Sequence, residues 1–195
     1  TLRQLVDHFG SAGEVFRQSP GRLYRLPGIG EQTARAIRTG NTWKAAEDEF
    51  RKAERHQTVL VFYNEPAFPL RLQGLNDAPC LLYIRGNLNL NRERFLGIVG
   101  TRKATAYGKR FVTTFVNELI PYSPVILSGL AYGIDIQAHK SALDAGLPTV
   151  AVLGSGMDKI YPWAHADTAM RMLDNGALIT EKPFGTMPDA HHFPA

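Results

Sequence analysis

Two textures divide the chain. Up to about residue 57, apolar side chains recur at helical spacing in short groups broken by glycine and proline. Leu2, Leu5, Val6 and Phe9 share one face of a first helix, which Gly10 stops. A second helix is predicted over 12–18, with Val15 and Phe16 as its apolar positions, ended by the Pro20-Gly21 turn. A third over 22–26 runs into Pro27-Gly28-Ile29-Gly30, and a fourth over 31–38 follows. A charged helix over 42–56 then carries a narrow stripe of Trp43, Ala46 and Phe50.

After Thr58 the apolar positions become continuous. Runs at 59–62, 81–84, 96–99, 125–127, 149–153 and 177–180 read as strands, and amphipathic helices are predicted over 107–119, 134–145 and 164–173 between the later ones. Short apolar strands alternating with helices indicate an α/β fold, with a mostly parallel, doubly wound sheet of Rossmann-like type. The expected division is a small all-helical module over 1–57, of helix-hairpin-helix or SAM-like type, followed by a Rossmann-like domain over 58–195. No internal repeat or low-complexity segment interrupts either part.

Composition narrows the function classes. With 195 residues, 44% hydrophobic and 21% charged, the chain has ordinary globular composition, so pervasive disorder and fibrous classes are out. No apolar run approaches the roughly 20 residues of a membrane span, and no basic-then-apolar leader opens the sequence. The single Cys80 leaves no disulfide framework and no cysteine-based zinc site, and the expected compartment is the cytoplasm. Without an initiator Met, and ending on Phe193-Pro194-Ala195, the sequence reads as a piece of something longer.

Charge then points to a partner. The formal balance is +4, and between Arg85 and Arg110 seven cations face one anion, Glu93. Such a cluster favours an anionic ligand, most simply nucleic-acid phosphate. Three Gly-rich turns follow three successive predicted strands: Gly100-Thr101-Arg102-Lys103, Ser128-Gly129-Leu130-Ala131-Tyr132-Gly133-Ile134-Asp135, and Gly154-Ser155-Gly156-Met157-Asp158-Lys159. In a parallel sheet such turns converge on one edge, where anions bind. Arg102 and Lys103 stand where a dinucleotide fingerprint demands small residues, which suits a phosphate held by side chains. There is no P-loop.

The candidate phosphate contacts are therefore Gly100, Thr101, Arg102, Ser128, Gly129, Gly133, Gly154, Ser155 and Gly156, with Lys159 and Lys182 added on charge. Tyr107, Tyr132 and Tyr161 lie within or beside the turns and could stack bases. A secondary set is Gly28 and Gly30, whose hairpin lets backbone approach a phosphate at a helix N-terminus, with Arg35 and Arg38 on that helix. Asp135 and His139, four residues apart, are expected to be a hydrogen-bonded structural pair. His191-His192 read as loop histidines, because neighbours in extended chain point opposite ways. Ser128 and Ser155 lack the G-x-S-x-G context of a nucleophile. Neither a metal nor a cofactor is expected, and no residue is assigned a catalytic role.

These ordered motifs, with Tyr63, Phe68-Pro69, Asp77-Ala78-Pro79 and Gly86 upstream and Thr180-Glu181, Phe184-Gly185-Thr186 and His192-Phe193-Pro194 downstream, closely resemble the DNA-processing protein A (DprA/Smf) family over residues 45–195. The resemblance implies an extended Rossmann-like fold and no established catalytic activity. It implies a homodimer that binds single-stranded DNA, protects incoming DNA in natural transformation and helps load RecA recombinase, with single-stranded DNA-binding protein as a further partner. The family's closing segment continues F-P-x-R-N-R, whereas this sequence stops inside it at Ala195, so the domain is expected to be truncated there. The competing class is a nucleoside monophosphate N-glycosidic hydrolase of related fold. Its P-G-G-x-G-T-x-x-E segment is not matched by Gly154-Ser155-Gly156-Met157-Asp158-Lys159 or by the position of Glu181.

Overall fold

The first helices form close to where the apolar spacing predicts them, except that Pro20-Gly21, expected as a turn, opens the third helix, which spans 20–24 in place of 22–26. A computed structural model of the chain describes residues 2–40, 42–92 and 94–189; the His191-His192 pair and the Phe193-Pro194 ending lie outside the described residues. In it α1 is Leu2–Phe9, α2 Ala12–Arg17, α3 Pro20–Tyr24 and α4 Glu31–Thr39. Ser11 caps α2 by accepting the Glu14 amide at 3.1 Å. Pro20 opens α3, where its missing N–H leaves no bond unmade. Leu5, Val15, Leu23 and Ala34, one from each helix, close a small core with Ile29 from the turn before α4.

The chain divides into two compact units, 1–48 and 49–195. The division falls inside α5 (Trp43–Arg55), earlier than the change of texture near residue 57. Side-chain chemistry explains the difference. Ala53 is buried in the core of the second unit. Glu49 Oε1 accepts the Tyr83 hydroxyl at 2.8 Å and the Phe184 amide at 2.7 Å. The predicted stripe does not do this packing, since Trp43 and Phe50 are 61% and 52% exposed.

In the second unit the strands are β1 (Val59–Phe62), β2 (Leu81–Gly86), β3 (Phe95–Gly97), β4 (Val125–Ser128), β5 (Thr149–Val152) and β6 (Ala177–Thr180). They form one sheet in the order β1-β2-β6-β5-β4-β3. β3 through β6 are parallel neighbours, while β1–β2 and β2–β6 pair antiparallel, so the sheet is mixed. The helices are α6 (Leu70–Gln73), which the spacing did not predict, α7 (Ala106–Glu118), α8 (Ile134–Asp144) and α9 (Ala166–Met172).

Successive strands β3 to β6 step in one direction, and right-handed crossovers of that kind lay their helices on one face. Ile126 of β4 packs there with Val116 of α7 and Ala138 and Ala142 of α8. Ala151 and Leu178 pack with Ala169 and Met172 of α9. The alternate residues Val125, Val150, Ala177 and Ile179 turn the other way and meet Phe68 and Leu90 from the connections around α6 and β3. The turns after β3, β4 and β5 leave from the same sheet edge, because those strands are parallel and adjacent.

Glu49→Ala leaves the Phe184 amide and Tyr83 hydroxyl without their acceptor. Burial and the Glu49 carboxylate both push the Tyr83 phenol up, so it stays a neutral donor. The expected loss is about 1–3 kcal/mol by urea denaturation, with Glu49→Gln losing less because it keeps an acceptor. Equal losses in the two variants would contradict this role.

Candidate nucleic-acid interface

The turns after β3 and β4 are locked together. The Ile134 amide donates to the Thr101 carbonyl at 3.2 Å, and Thr101 Oγ1 accepts the Lys103 amide at 3.2 Å. Gly133 sits at φ 85°, where L side chains rarely go. A Cβ there would lie 2.7 Å from the Arg102 carbonyl oxygen and would also collide with the Thr101 carbonyl. Gly100 is equally close to its neighbour, a Cβ on it lying 2.7 Å from Ile134 Cγ1. These glycines act as close-packing positions that bring the Arg102 turn against the start of α8.

Polar side chains complete the lock. Asp135 Oδ2 accepts the Gly129 amide at 3.1 Å, and Ser128 Oγ donates to the Ile98 carbonyl at 2.6 Å. Leu130, fully buried, is held at φ 61°. Its carbonyl accepts His165 Nδ1–H at 2.7 Å, which ties the β4 turn to the short 3-10 helix Trp163–His165. A left-handed leucine costs on the order of 1 kcal/mol and persists only where its surroundings hold it.

Between these segments lies a small cavity of about 40 Å³, lined by Arg102, Gly129, Ala131, Tyr132, Tyr161 and Pro162. That volume takes a few water-sized groups, the scale of phosphate oxygens and well below a nucleoside. Arg102 is exposed at its rim, and Tyr132 and Tyr161 are about half exposed beside it. The Tyr132 ring meets the His165 ring edge-on at 4.8 Å, so its position is set from behind.

The third turn contributes differently. Gly154, Ser155 and Gly156 are buried. Ser155 Oγ donates to the Lys159 carbonyl at 2.6 Å, Thr180 Oγ1 to the Ser155 carbonyl at 2.9 Å, and the Gly156 amide to the Thr186 carbonyl at 3.0 Å. These groups hold the turn itself, and the segment reaches the cavity only through Tyr161 and Pro162. Lys159 is exposed, with Asp158 at 3.7 Å. Lys182 bonds Glu181 at 2.8 Å and lines a different, apolar groove of about 380 Å³ with Leu82, Leu127, Val152 and Ile179. Tyr107 is 72% exposed on the first turn of α7 but does not line the cavity.

Asp135 and His139 correct one expectation: they take separate partners. Asp135 serves Gly129, whereas buried His139 Nδ1 meets Thr149 Oγ1 at 2.7 Å. Thr149 Oγ1 already donates to the Ile126 carbonyl at 2.9 Å, so His139 must be the Nδ1–H tautomer. Its Nε2 is buried with no partner. Burial, followed by the nearby His165, pushes the His139 pKa down to about 3.

In the helical unit Gly28, at φ 80°, turns the chain into α4 through Ile29 and Gly30. Arg35 pairs with Glu31 at 2.6 Å, and Arg38 donates to the Phe16 carbonyl at 3.3 Å. Of the cations between 85 and 110, Arg94 donates to the Tyr122 carbonyl at 3.0 Å. Lys109 and Arg110 border a shallow depression with Thr113, Thr114 and Gln137, a surface the motifs did not single out. Trp163, 81% exposed directly after Pro162, was also missed, although its adjacency to Tyr161-Pro162 was readable in the sequence. Among the described residues no group of three or more His, Cys, Asp or Glu could hold a metal ion, and no helix is long and apolar enough to cross a membrane.

The model of the family described as DNA recombination-mediator protein A matches residues 59–195. The chain belongs to this family, the DprA/Smf proteins. Over 202 aligned residues it is 30% identical to protein Smf of Synechocystis, covering all of this chain and 50% of that protein. It is 38% identical to DNA processing protein DprA of Bacillus subtilis over 128 residues, 65% of this chain and 43% of that one. The chain thus spans about half the length of these relatives. The solved structure of DprA from Streptococcus pneumoniae superposes with a TM-score of 0.83 at 26% identity, over 99% of this chain and 66% of the other. DprA from Helicobacter pylori, whose structure is described for its single-stranded DNA binding mode, gives 0.62 at 30% identity over 70% of this chain and 61% of the other.

Two outcomes check the geometry. Gly133→Ala forces a positive φ and a backbone clash, so it should cost about 1–3 kcal/mol in thermal unfolding; an unchanged Tm would show that the turns are not interlocked. His139 has a folded pKa below its unfolded value of about 6.5, so the unfolded chain takes up the proton first. Its part of the stability is intact above about pH 6.5 and is lost progressively as pH falls toward 3, with a slope approaching about 1.4 kcal/mol per unit. His139→Leu should flatten denaturation midpoints between about pH 6.5 and 5, and an unaltered slope there would assign the effect elsewhere.

Proposed function

We propose that this chain binds single-stranded DNA, and that the protein protects incoming DNA in natural transformation and helps load a RecA-type recombinase. The observation that carries the reading is Arg102 at the rim of a cavity lined also by Gly129, Ala131, Pro162 and the half-exposed Tyr132 and Tyr161. A guanidinium supplies charge-assisted bonds to phosphate, and half-exposed rings offer faces to unpaired bases. The likeness to H. pylori DprA supports the same ligand. A homodimer, a cytoplasmic location and single-stranded DNA-binding protein as an additional partner belong to this reading. The helical unit is a secondary, helix-hairpin-helix-like surface in it.

Gly100, Thr101, Gly129 and Gly133 shape the pocket; Ser128, Gly154, Ser155 and Gly156 act from behind as its supports. Lys159 and Lys182 add charge outside the cavity. We take the protein to be a binder and not a hydrolase. The hydroxyls of Ser128 and Ser155 are spent on backbone carbonyls, and Asp158 Oδ1 accepts the Gly185 amide at 2.8 Å. These three side chains are thereby committed to holding the turns.

Fluorescence anisotropy with labelled oligo-dT and a duplex of equal length tests the reading. Single strands should bind more tightly, and Arg102→Ala should weaken them about tenfold or more. Arg38→Ala, whose guanidinium serves the Phe16 carbonyl, should matter less. Neutralising three to five phosphates gives a slope of log affinity against log salt of roughly −2 to −3.5, which Arg102→Ala should flatten by about 0.7. Equal binding of duplex, or a dominant effect at Arg38, would overturn the assignment of the site.

A further inference from the structure

Among the described residues Trp163 is the most exposed of the large apolar side chains, at 81%. Single exposed hydrophobics are ordinary on protein surfaces and by themselves mean little. This one has a particular setting. It follows Tyr161 and Pro162, both of which line the Arg102 cavity, without an intervening residue after the proline. It also opens the 3-10 helix whose last residue, His165, is fixed by the Leu130 carbonyl and braces Tyr132. The backbone under the indole is therefore tied to the turn that supplies Gly129, Ala131 and Tyr132 to the same cavity.

From this we infer that Trp163 is a base-stacking residue, the outermost of an aromatic set with Tyr132 and Tyr161 that receives the bases of a strand whose phosphate lies against Arg102. The inference rests on the single-stranded DNA reading above and names how that site recognises its ligand. An indole face binds a base by dispersion and quadrupole interactions without reading its edges, so the contact is indifferent to sequence. In a duplex the base faces are already stacked on one another, and the platform finds no partner. The division of labour is then physical: Arg102 senses charge and is weakened by salt, whereas Trp163 senses a free base face and is not.

The chain holds two tryptophans, Trp43 and Trp163, so Trp43→Phe leaves Trp163 as the sole indole reporter. Titration of that variant with oligo-dT should quench its fluorescence. A strand of the same length and charge built from abasic tetrahydrofuran units should leave it unquenched. In the otherwise unaltered chain, Trp163→Ala should lower oligo-dT affinity between about fivefold and a hundredfold while leaving the salt slope unchanged. It should leave affinity for the abasic strand as it was, and Trp163→Phe should recover part of the loss. Because the side chain is largely exposed, the Tm of the alanine variant should match the parent.

Absence of quenching by oligo-dT overturns the inference, as does an equal effect of Trp163→Ala on both strands. In either case oligo-dT binding that still depends on Arg102 leaves the single-strand reading standing. If the unaltered chain binds neither strand, the underlying reading fails and the inference falls with it.

Discussion

The contact on which this site depends is backbone against backbone, where Gly133 meets the Thr101-Arg102 peptide. The turn after β3 approaches the start of α8 so closely that a single carbon atom on Gly133 would separate them. The same approach lets the Ile134 amide bond the Thr101 carbonyl and sets Ile134 against Gly100. Parallel pairing of β3 and β4 brings the two turns to one edge, but only the missing side chains let them close. The position of Arg102 beside Tyr132 is a consequence of that closure.

A second layer of bonds converts closure into fixed shape. Ser128, Asp135, Ser155, Thr180 and His165 all direct their polar atoms at backbone groups of the turns. In the sequence only Ser128 and Ser155 of these stand among the candidate phosphate contacts. In the structure nearly every one is occupied with holding loops, and recognition is left to a few exposed side chains. Burial decides which role a residue takes: Ser128, Asp135, Ser155, Thr180 and His165 are all buried, while Arg102 and Trp163 are not.

Much of the architecture was legible because its signals are local. Apolar runs such as Val59–Phe62 and Ala177–Thr180 became strands with those bounds, Gly10 ended the first helix where expected, and the helix after Gly30 began at Glu31 as expected. Strand direction was legible for β3 to β6, where intervening helices imply parallel pairing, but not for β1 and β2, which proved antiparallel. Partners distant in sequence were equally hidden. Asp135 and His139 look like a pair on one helix face, yet each is claimed by another segment, Gly129 and Thr149. Lys182 joins the candidate phosphate contacts on charge alone. The strand before it, β6, lies three places from β3 in the sheet, on the order of 14 Å at normal strand spacing, and the lysine borders a different groove.

The inward-turned serine hydroxyls have a consequence for the kinetics of recognition. A loop held by its own side chains is already in its bound form, so ligand capture need not order it and loses little conformational entropy in doing so. Encounter should then be limited by diffusion and electrostatic attraction, with no slow isomerisation before or after contact. A long flexible strand could be gripped at one phosphate and released at the next without the protein changing shape, because Ser128 and Ser155 take their partners from the protein's own backbone and need no ligand to hold the turns.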